Sequence, residues 1–176
     1  GGLGKTIAYT MDTSGVIFDT LFQKLYSNPI GSIVREIYTN AMEVSTPDKP
    51  PILHCPSLIS PEFWIRDFGP GLSFDQMKSV YTVAGASTKR TSNEFIGAFG
   101  LGAKSPFAYA DSYTVTSWQN GIRSTYLVYR DKERIPSMSV VNEVPSSEPS
   151  GLEVRIGVSV KDVGSWWEAI VSQLRG

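Results

Sequence analysis

Residues 112–130 impose the strongest constraint on the fold, because they carry a β-hairpin pattern centred on Asn120 and Gly121. Two runs rich in β-branched and aromatic residues, SYTVTSW and IRSTYLVYR, flank this dipeptide. Asn-Gly readily adopts the positive φ angles that a tight turn between antiparallel strands requires. SMSVVNEV and LEVRIGVSV predict further strands, so the second half of the chain should be mostly antiparallel sheet.

The first half of the chain carries mainly helical patterns, and a last helix is predicted for VGSWWEAIVSQL. GVIFDTLFQKLY, NPIGSIVREIYTNAMEVS and SFDQMKSVYTVAG predict helices, the last with Ser73 as its N-cap. TIAYTM, PILHC and EFWIRDF predict strands, and AKSPFAYA predicts a helix after a glycine-rich stretch. Helices followed by hairpin-forming strands indicate an α+β sandwich rather than a doubly wound sheet.

Composition excludes several classes of protein. The 176 residues suit one domain, and a net charge of −1 without a basic run argues against a dedicated nucleic-acid binder. With one cysteine, Cys55, and one histidine, His54, the chain has neither an internal disulfide nor a zinc cluster. There is no apolar run of bilayer-spanning length and no signal peptide.

The opening GGLGKT resembles the end of a phosphate-binding P-loop. The P-loop pattern needs a glycine five residues earlier than Gly4, a preceding strand and a following helix. None of these is present, and strand-forming residues follow instead. We therefore interpret residues 1–6 as a leader or tag remnant and residues 7–176 as one domain, the N-terminal fragment of a longer protein.

Glu36, Asn40 and Glu43 form one narrow helical stripe, because they are spaced by four and three residues. The neighbouring apolar stripe contains Ile33, Ile37, Ala41 and Val44, so the polar groups lie at the margin of the core-facing side. Carboxylates in such a position suit a cleft that holds a metal and a water molecule. The alternative is an ordinary polar helix flank.

Asp67 lies on the same strand face as Phe63 and Ile65, so its carboxylate should be buried and need hydrogen-bond donors. Gly69 and Gly71 follow it and would let a flat ligand approach, and an adenine amino group is one candidate donor. The alternative is an aspartate that organises its own turn, which Asp does well before Gly and Pro.

A second glycine-rich stretch contains Gly97, Gly100 and Gly102 and leads to Lys104. Ala103 between Gly102 and Lys104 breaks the P-loop pattern. Glycines at the start of a helix nevertheless expose backbone N–H groups that bind phosphate, and Lys104 would add a point charge. The alternative is tight backbone packing.

The order of these three motifs is more specific than any one of them. It resembles the GHKL superfamily of gyrase, heat-shock-ninety chaperones, histidine kinases and MutL, with its N box, two glycine boxes and intervening ATP lid. LYSNPIGSIVREIYTNAMEV, RDFGPGLS, NEFIGAFGLGAKSPFAYADSYTVTSW and GLEVRI are most similar to the N-terminal domain of the phage RIIA lysis-inhibition proteins. The similarity extends over nearly the whole chain from about Lys5 onward.

The resemblance implies a Bergerat-type two-layer sandwich, with a mixed, mostly antiparallel sheet and helices on one face. It also implies ATP with Mg²⁺ as ligands, Glu36 as general base, Asn40 as the metal-binding residue and Asp67 as the acceptor of the adenine amino group. Residues 87–94 would form the lid. The residues assigned to nucleotide binding are Asn40, Glu43, Asp67, Gly69, Gly71, Leu72, Ser87, Thr88, Gly97, Gly100, Leu101, Gly102, Ala103 and Lys104.

Two positions depart from the family pattern. Glu43 replaces the usual Asp of the N box, and Leu152 follows Gly151 where the third glycine box has Thr. Related ATPases also often take a lysine from a following domain, so slow hydrolysis is expected. Two alternatives remain open: a non-hydrolysing nucleotide sensor or phage effector, and a histidine-kinase catalytic domain.

By the same resemblance, the expected setting is the cytoplasm of an infected bacterium, with peripheral membrane association as a family-level expectation only. The expected partners are ATP or ADP and a host or phage protein. A second copy is a further expected partner, joined through the lid or through a C-terminal domain that this sequence does not include.

Overall fold

The computed structural model describes residues 15–20, 22–23, 26–83 and 101–176. An N-terminal helical segment covers residues 15–20 and 22–23. Three longer helices follow: α1 (Pro29–Glu43), α2 (Phe74–Tyr81) and α3 (Val163–Arg175). The strands are β1 (Ile52–His54), β2 (Glu62–Arg66), β3 (Ser112–Gln119), β4 (Ile122–Arg130), β5 (Pro136–Pro145) and β6 (Gly151–Gly157), and short 3₁₀ helices cover Ser105–Ala108 and Val160–Asp162.

The six described strands form one open sheet in the order β1-β2-β6-β3-β4-β5, and neighbouring strands run antiparallel. This architecture confirms the predicted α+β class. β3 and β4 form the predicted hairpin, with φ angles of 53° at Asn120 and 75° at Gly121. Because β6 is inserted between β2 and β3, the strand that begins at Gly151 lies beside the loop after β2.

One face of the sheet carries the aromatic core. Phe63 of β2 packs on Trp166 of α3, with ring centroids 5.1 Å apart. On the same face, the ring centroids of Tyr113 in β3 and Tyr81 in α2 lie 6.3 Å apart. Helices α2 and α3 are therefore anchored to the same side of the sheet. On the opposite face, Arg155 forms ion pairs with Glu62 and Glu153.

The helix starts follow from local capping. The Asn28 side chain accepts a hydrogen bond from the N–H of Gly31 at the start of α1, and Pro29 occupies the first turn, where its missing N–H costs nothing. At α2 the predicted N-cap is confirmed, since Ser73 and Gln76 form a reciprocal capping box. α1 buries Ile33, Ile37 and Ala41 as its stripe predicts.

Two predictions are wrong, one about α1 and one about the segment that follows the second glycine-rich stretch. Val44 lies beyond the end of α1 and is exposed rather than part of the buried stripe. AKSPFAYA forms only the 3₁₀ helix Ser105–Ala108, in which Phe107 N–H donates to Lys104 O and Tyr109 N–H donates to Pro106 O. Pro106 favours such a helix start but supplies no N–H to an α-helical ladder.

The predicted leader and the predicted strand TIAYTM lie outside the described residues. Among the helices that the structure describes, none has both the length and the apolar character that crossing a membrane demands.

Candidate functional site

A cavity of about 590 Å³ opens between the C-terminal end of α1, the loop after β2, the last turn of α2 and residues 101–103. It brings together most of the predicted ligands that lie within the described residues. Those that line it are Asn40, Glu43, Asp67, Gly71, Leu72, Leu101, Gly102 and Ala103. Val44, Val80, Tyr81 and Leu152 add an apolar wall. The three sequence motifs thus converge on one cleft.

Asp67 is the buried polar group of this cleft, with only 8% of its surface exposed. Its Oδ1 atom accepts hydrogen bonds from the N–H of Gly69, at 3.0 Å, and of Leu152, at 3.1 Å. Burial raises the pKa of the Asp67 carboxyl, while these two N–H groups oppose the rise. With Oδ1 doubly occupied, Oδ2 is the oxygen left to accept a hydrogen bond from a ligand.

The turn that follows Asp67 depends on its glycines. Gly71 has a φ of 72°, and a Cβ added there would lie 2.4 Å from the carbonyl oxygen of Trp118. At Gly69 an added Cβ would lie 2.7 Å from the Val44 side chain. Gly69 therefore does not line the cavity but lets the turn approach the end of α1.

Ser117 fixes the far end of this turn. Its hydroxyl accepts from the N–H of Leu72 at 2.8 Å and donates to the carbonyl of Leu72 at 2.7 Å. These two hydrogen bonds attach the turn to β3 at Leu72. No local sequence pattern specifies this contact, because it joins residues 45 apart.

Two buried tyrosines orient the backbone at residues 101–104. The Tyr26 hydroxyl donates to the carbonyl of Leu101 at 3.2 Å, and the Tyr113 hydroxyl donates to that of Ala103 at 3.1 Å. In a trans peptide the N–H points opposite to the C=O. The N–H of Gly102, which lines the cavity, therefore points away from the Tyr26 hydroxyl, whereas Lys104 is fully buried and its N–H is not open to a ligand. This orientation replaces the predicted helix-terminus effect, which is wrong because no α-helix begins there.

Glu36 approaches this backbone from α1. A Cβ added at Gly102 would lie only 2.9 Å from Oε2 of Glu36, so a larger residue there would displace the end of the Glu36 side chain. The Glu36 side chain is 31% exposed, and its Oε1 lies 3.8 Å from the Arg35 guanidinium. Glu36 is thus a neighbour of the 101–103 backbone rather than a lining residue of the cavity itself.

Asn40 and Glu43 lie one and two turns further along α1 and are exposed on the rim of the cavity. The amide oxygen of Asn40 is a hard oxygen donor of the kind that Mg²⁺ prefers. Mg²⁺ usually takes only one or two protein ligands and completes its shell with water and phosphate oxygens. Asn40 therefore fits a magnesium ion that arrives with a phosphate ligand.

Lys104 lies apart from the other predicted ligands. Its side chain is fully buried, and Nζ donates to the carbonyl of Val80, near the end of α2, at 2.8 Å. A cation at a helix C-terminus complements the helix dipole. Burial lowers the pKa of the Lys104 ammonium to about 8. Lys104 joins the 101–104 backbone to α2 instead of pointing toward a phosphate.

Arg66 is a further residue that sequence reasoning missed. Its guanidinium lies between the rings of Phe68 and Trp118, 4.4 and 3.9 Å from their centroids. It donates to the carbonyls of Asp67, Pro149 and Ser150. Arg66 thereby holds the segment before β6 beside Asp67, which brings the N–H of Leu152 to the Asp67 carboxylate.

Four predicted ligands, Ser87, Thr88, Gly97 and Gly100, lie outside the described residues, together with the rest of the predicted lid. Within the described part of the chain, no group of three or more His, Cys, Asp or Glu residues is arranged to hold a metal ion. Comparison of the sequence with protein-family models and with curated proteins finds no match to either.

The buried lysine makes a testable prediction about stability. Between the folded pKa of about 8 and the ordinary value of 10.5, the unfolded chain binds more protons than the folded chain. Stability therefore rises with pH through this window. Relative to Lys104→Met, which cannot titrate, the wild-type free energy of unfolding should rise by about 2 kcal/mol from about pH 7.5 to about pH 9.5.

Urea unfolding at a series of pH values measures this difference. Lys132→Met, at an exposed turn position, is the matched control and should follow the wild-type pH curve. If the free energies of unfolding of wild type and Lys104→Met changed in parallel with pH, the Lys104 ammonium would not be buried as described.

Proposed function

We propose that this chain binds ATP with Mg²⁺ in the cavity beside Asp67 and hydrolyses it slowly. The observation that carries the proposal is the convergence of α1, the Asp67–Leu72 turn and the 101–103 backbone on one cleft of about 590 Å³. We further propose a Bergerat-type sandwich of the GHKL superfamily, most similar to the phage RIIA proteins. The six-stranded sheet with helices packed on its aromatic face supports this proposal.

The base end of the nucleotide would lie against Asp67. Oδ2 is an acceptor in an otherwise apolar wall formed by Val44, Tyr81 and Leu152. An exocyclic amino group donates to such an oxygen, while the ring fills the apolar space. Leu152 brings no hydroxyl, so recognition of the base would depend on Asp67 and on shape more than in the family pattern.

The phosphate end would lie at residues 101–104. The N–H of Gly102 would supply a donor to a phosphate oxygen, and the hydrogen bond from Tyr26 to the carbonyl of Leu101 keeps that peptide group oriented. Asn40 would hold Mg²⁺, with Glu36 one turn away on the same stripe of α1. When bound, Mg²⁺ neutralises phosphate charge and orients the γ-phosphate.

Glu36 would act as general base for the attacking water. Its Oε2 lies close to Gly102, at the proposed phosphate cradle, and it is still partly open to solvent, so a water molecule has access. Closure of the predicted lid over the nucleotide would be the conformational switch.

A nucleotide sensor without turnover is the second candidate. It is favoured by the position of Glu36 beside, rather than within, the cavity lining. In that case the bound state would act on a host or phage protein in the bacterial cytoplasm. The histidine-kinase alternative has less support, because His54 lies in β1 and its ring stacks on Trp64 rather than being presented on a helix.

The first prediction concerns Asp67→Asn, which keeps the size of the side chain. Its amide oxygen can still accept from Gly69 and Leu152, so the amide NH₂ takes the place of Oδ2. A donor then faces the adenine amino group, and the affinity for ATP should fall about tenfold or more. Inosine triphosphate carries a carbonyl at that position and should lose little affinity or gain.

Calorimetric titration measures the affinities of wild type and Asp67→Asn for ATP and for inosine triphosphate. Asp48→Asn, in an exposed turn, is the matched control and should bind like wild type. Unchanged ATP affinity in Asp67→Asn would contradict the assignment of the base to this end of the cavity.

The second prediction separates binding from hydrolysis. Glu36→Gln removes the base but keeps the size of the side chain, so ATP affinity should stay within about threefold while the hydrolysis rate falls about a hundredfold or more. Single-turnover phosphate release is the measurement, with Glu133→Gln at an exposed turn as control. Wild-type turnover in Glu36→Gln would exclude Glu36 as the base, and binding without turnover in the wild type would favour the sensor.

A further inference from the structure

Helix α3 carries apolar residues on two sides. Trp166 and Ile170 are fully buried in the core. Trp167, Val171 and Leu174 leave 46%, 37% and 58% of their surfaces exposed. Their spacing of four and three residues aligns these three side chains into a single stripe along the helix. We refer to these three residues as the outer stripe. An ordinary surface helix would carry polar residues there.

The outer stripe is already ordered. The indole Nε1 of Trp167 donates to the carbonyl of Pro56 at 2.7 Å, which fixes the orientation of the ring. The loop after Pro56 adds two strongly exposed apolar side chains, Leu58 and Ile59. A rigid aromatic group loses little conformational entropy on association, so this stripe is suited to contact another protein surface.

Charged residues of opposite sign flank the stripe at nearly equal distances from its centre, Val171. Glu168 lies three residues before Val171, and Arg175 lies four residues after it. On the stripe itself, Trp167 lies four residues before Val171, and Leu174 lies three residues after it. Each pair is therefore nearly symmetric about Val171. The charged pair carries opposite signs at its two ends, and the apolar pair has a large ring at one end and a smaller side chain at the other.

We propose that the outer stripe packs antiparallel against the same stripe of a second copy of this chain. A two-fold axis at Val171 places Val171 against its counterpart and Trp167 against the second copy's Leu174. The same axis places Glu168 opposite the second copy's Arg175. A parallel arrangement would bring Glu168 beside Glu168 and Arg175 beside Arg175, which is repulsive.

This charge pattern favours a second copy over another partner. A surface that recognises an acidic or a basic partner carries one sign of charge, whereas this one is complementary to itself under a two-fold axis. One helix stripe is small beside the roughly 800 Å² per partner of a standard interface. A reversible dimer of modest affinity is therefore expected. None of the residues of this surface lines the nucleotide cavity, so the proposal is independent of nucleotide binding.

Sedimentation equilibrium over a wide range of protein concentration tests the proposal. The wild type should show a monomer–dimer equilibrium. Glu168→Arg and Arg175→Glu should each weaken the dimer about tenfold or more, because each places like charges opposite one another. The double variant, with the two charges exchanged, should restore dimerisation to within about threefold of wild type.

Lys132→Glu, an equal change of charge at an exposed turn outside α3, is the control and should leave the equilibrium unchanged. Circular dichroism checks that each variant is folded. A wild type that is monomeric at every concentration overturns the proposal. So does a dimer insensitive to the single variants, or a double variant that stays as weak as they are.

Discussion

The buried carboxylate of Asp67 is the interaction on which the rest of the cleft depends. A carboxylate at 8% exposure is costly unless donors satisfy it, and both donors here are backbone N–H groups. One comes from the turn after β2 and the other from Leu152 in β6, so the carboxylate joins two strands and a turn. Gly69 and Gly151 are needed because a side chain at either position would collide with neighbouring atoms.

At the opposite end of the cleft, buried side chains hold the backbone in place through hydrogen bonds. Tyr26 and Tyr113 reach from the core to the carbonyls of Leu101 and Ala103, and Lys104 reaches back to α2. Three buried polar side chains thus determine which way the 101–104 peptide planes face. Rigid orientation of N–H groups before a ligand arrives lowers the entropic cost of binding. The core between the sheet and its helices and the proposed phosphate cradle are therefore parts of one packing arrangement.

Local features of the sequence predicted much of this structure. The hairpin follows from Asn120-Gly121, the start of α2 from the Ser73 cap, and the buried stripe of α1 from its periodicity, because each depends on nearby residues alone. The Tyr26 contact to Leu101 joins residues 75 apart, and no local pattern specifies it. Lys104 is a second example. Its positive charge suggested a contact with phosphate, but its side chain points toward the C-terminal end of α2, which no local pattern predicts.

Backbone amide NMR during titration with a non-hydrolysable ATP analogue and Mg²⁺ tests whether ATP binds in the cleft beside Asp67. Binding there should produce saturable shifts of the amides of Gly69, Gly102, Lys104 and Leu152, with a common dissociation constant, and no shifts along β5. Absence of saturable shifts at these four amides, or saturable shifts confined to other parts of the molecule, would contradict an ATP site in this cleft.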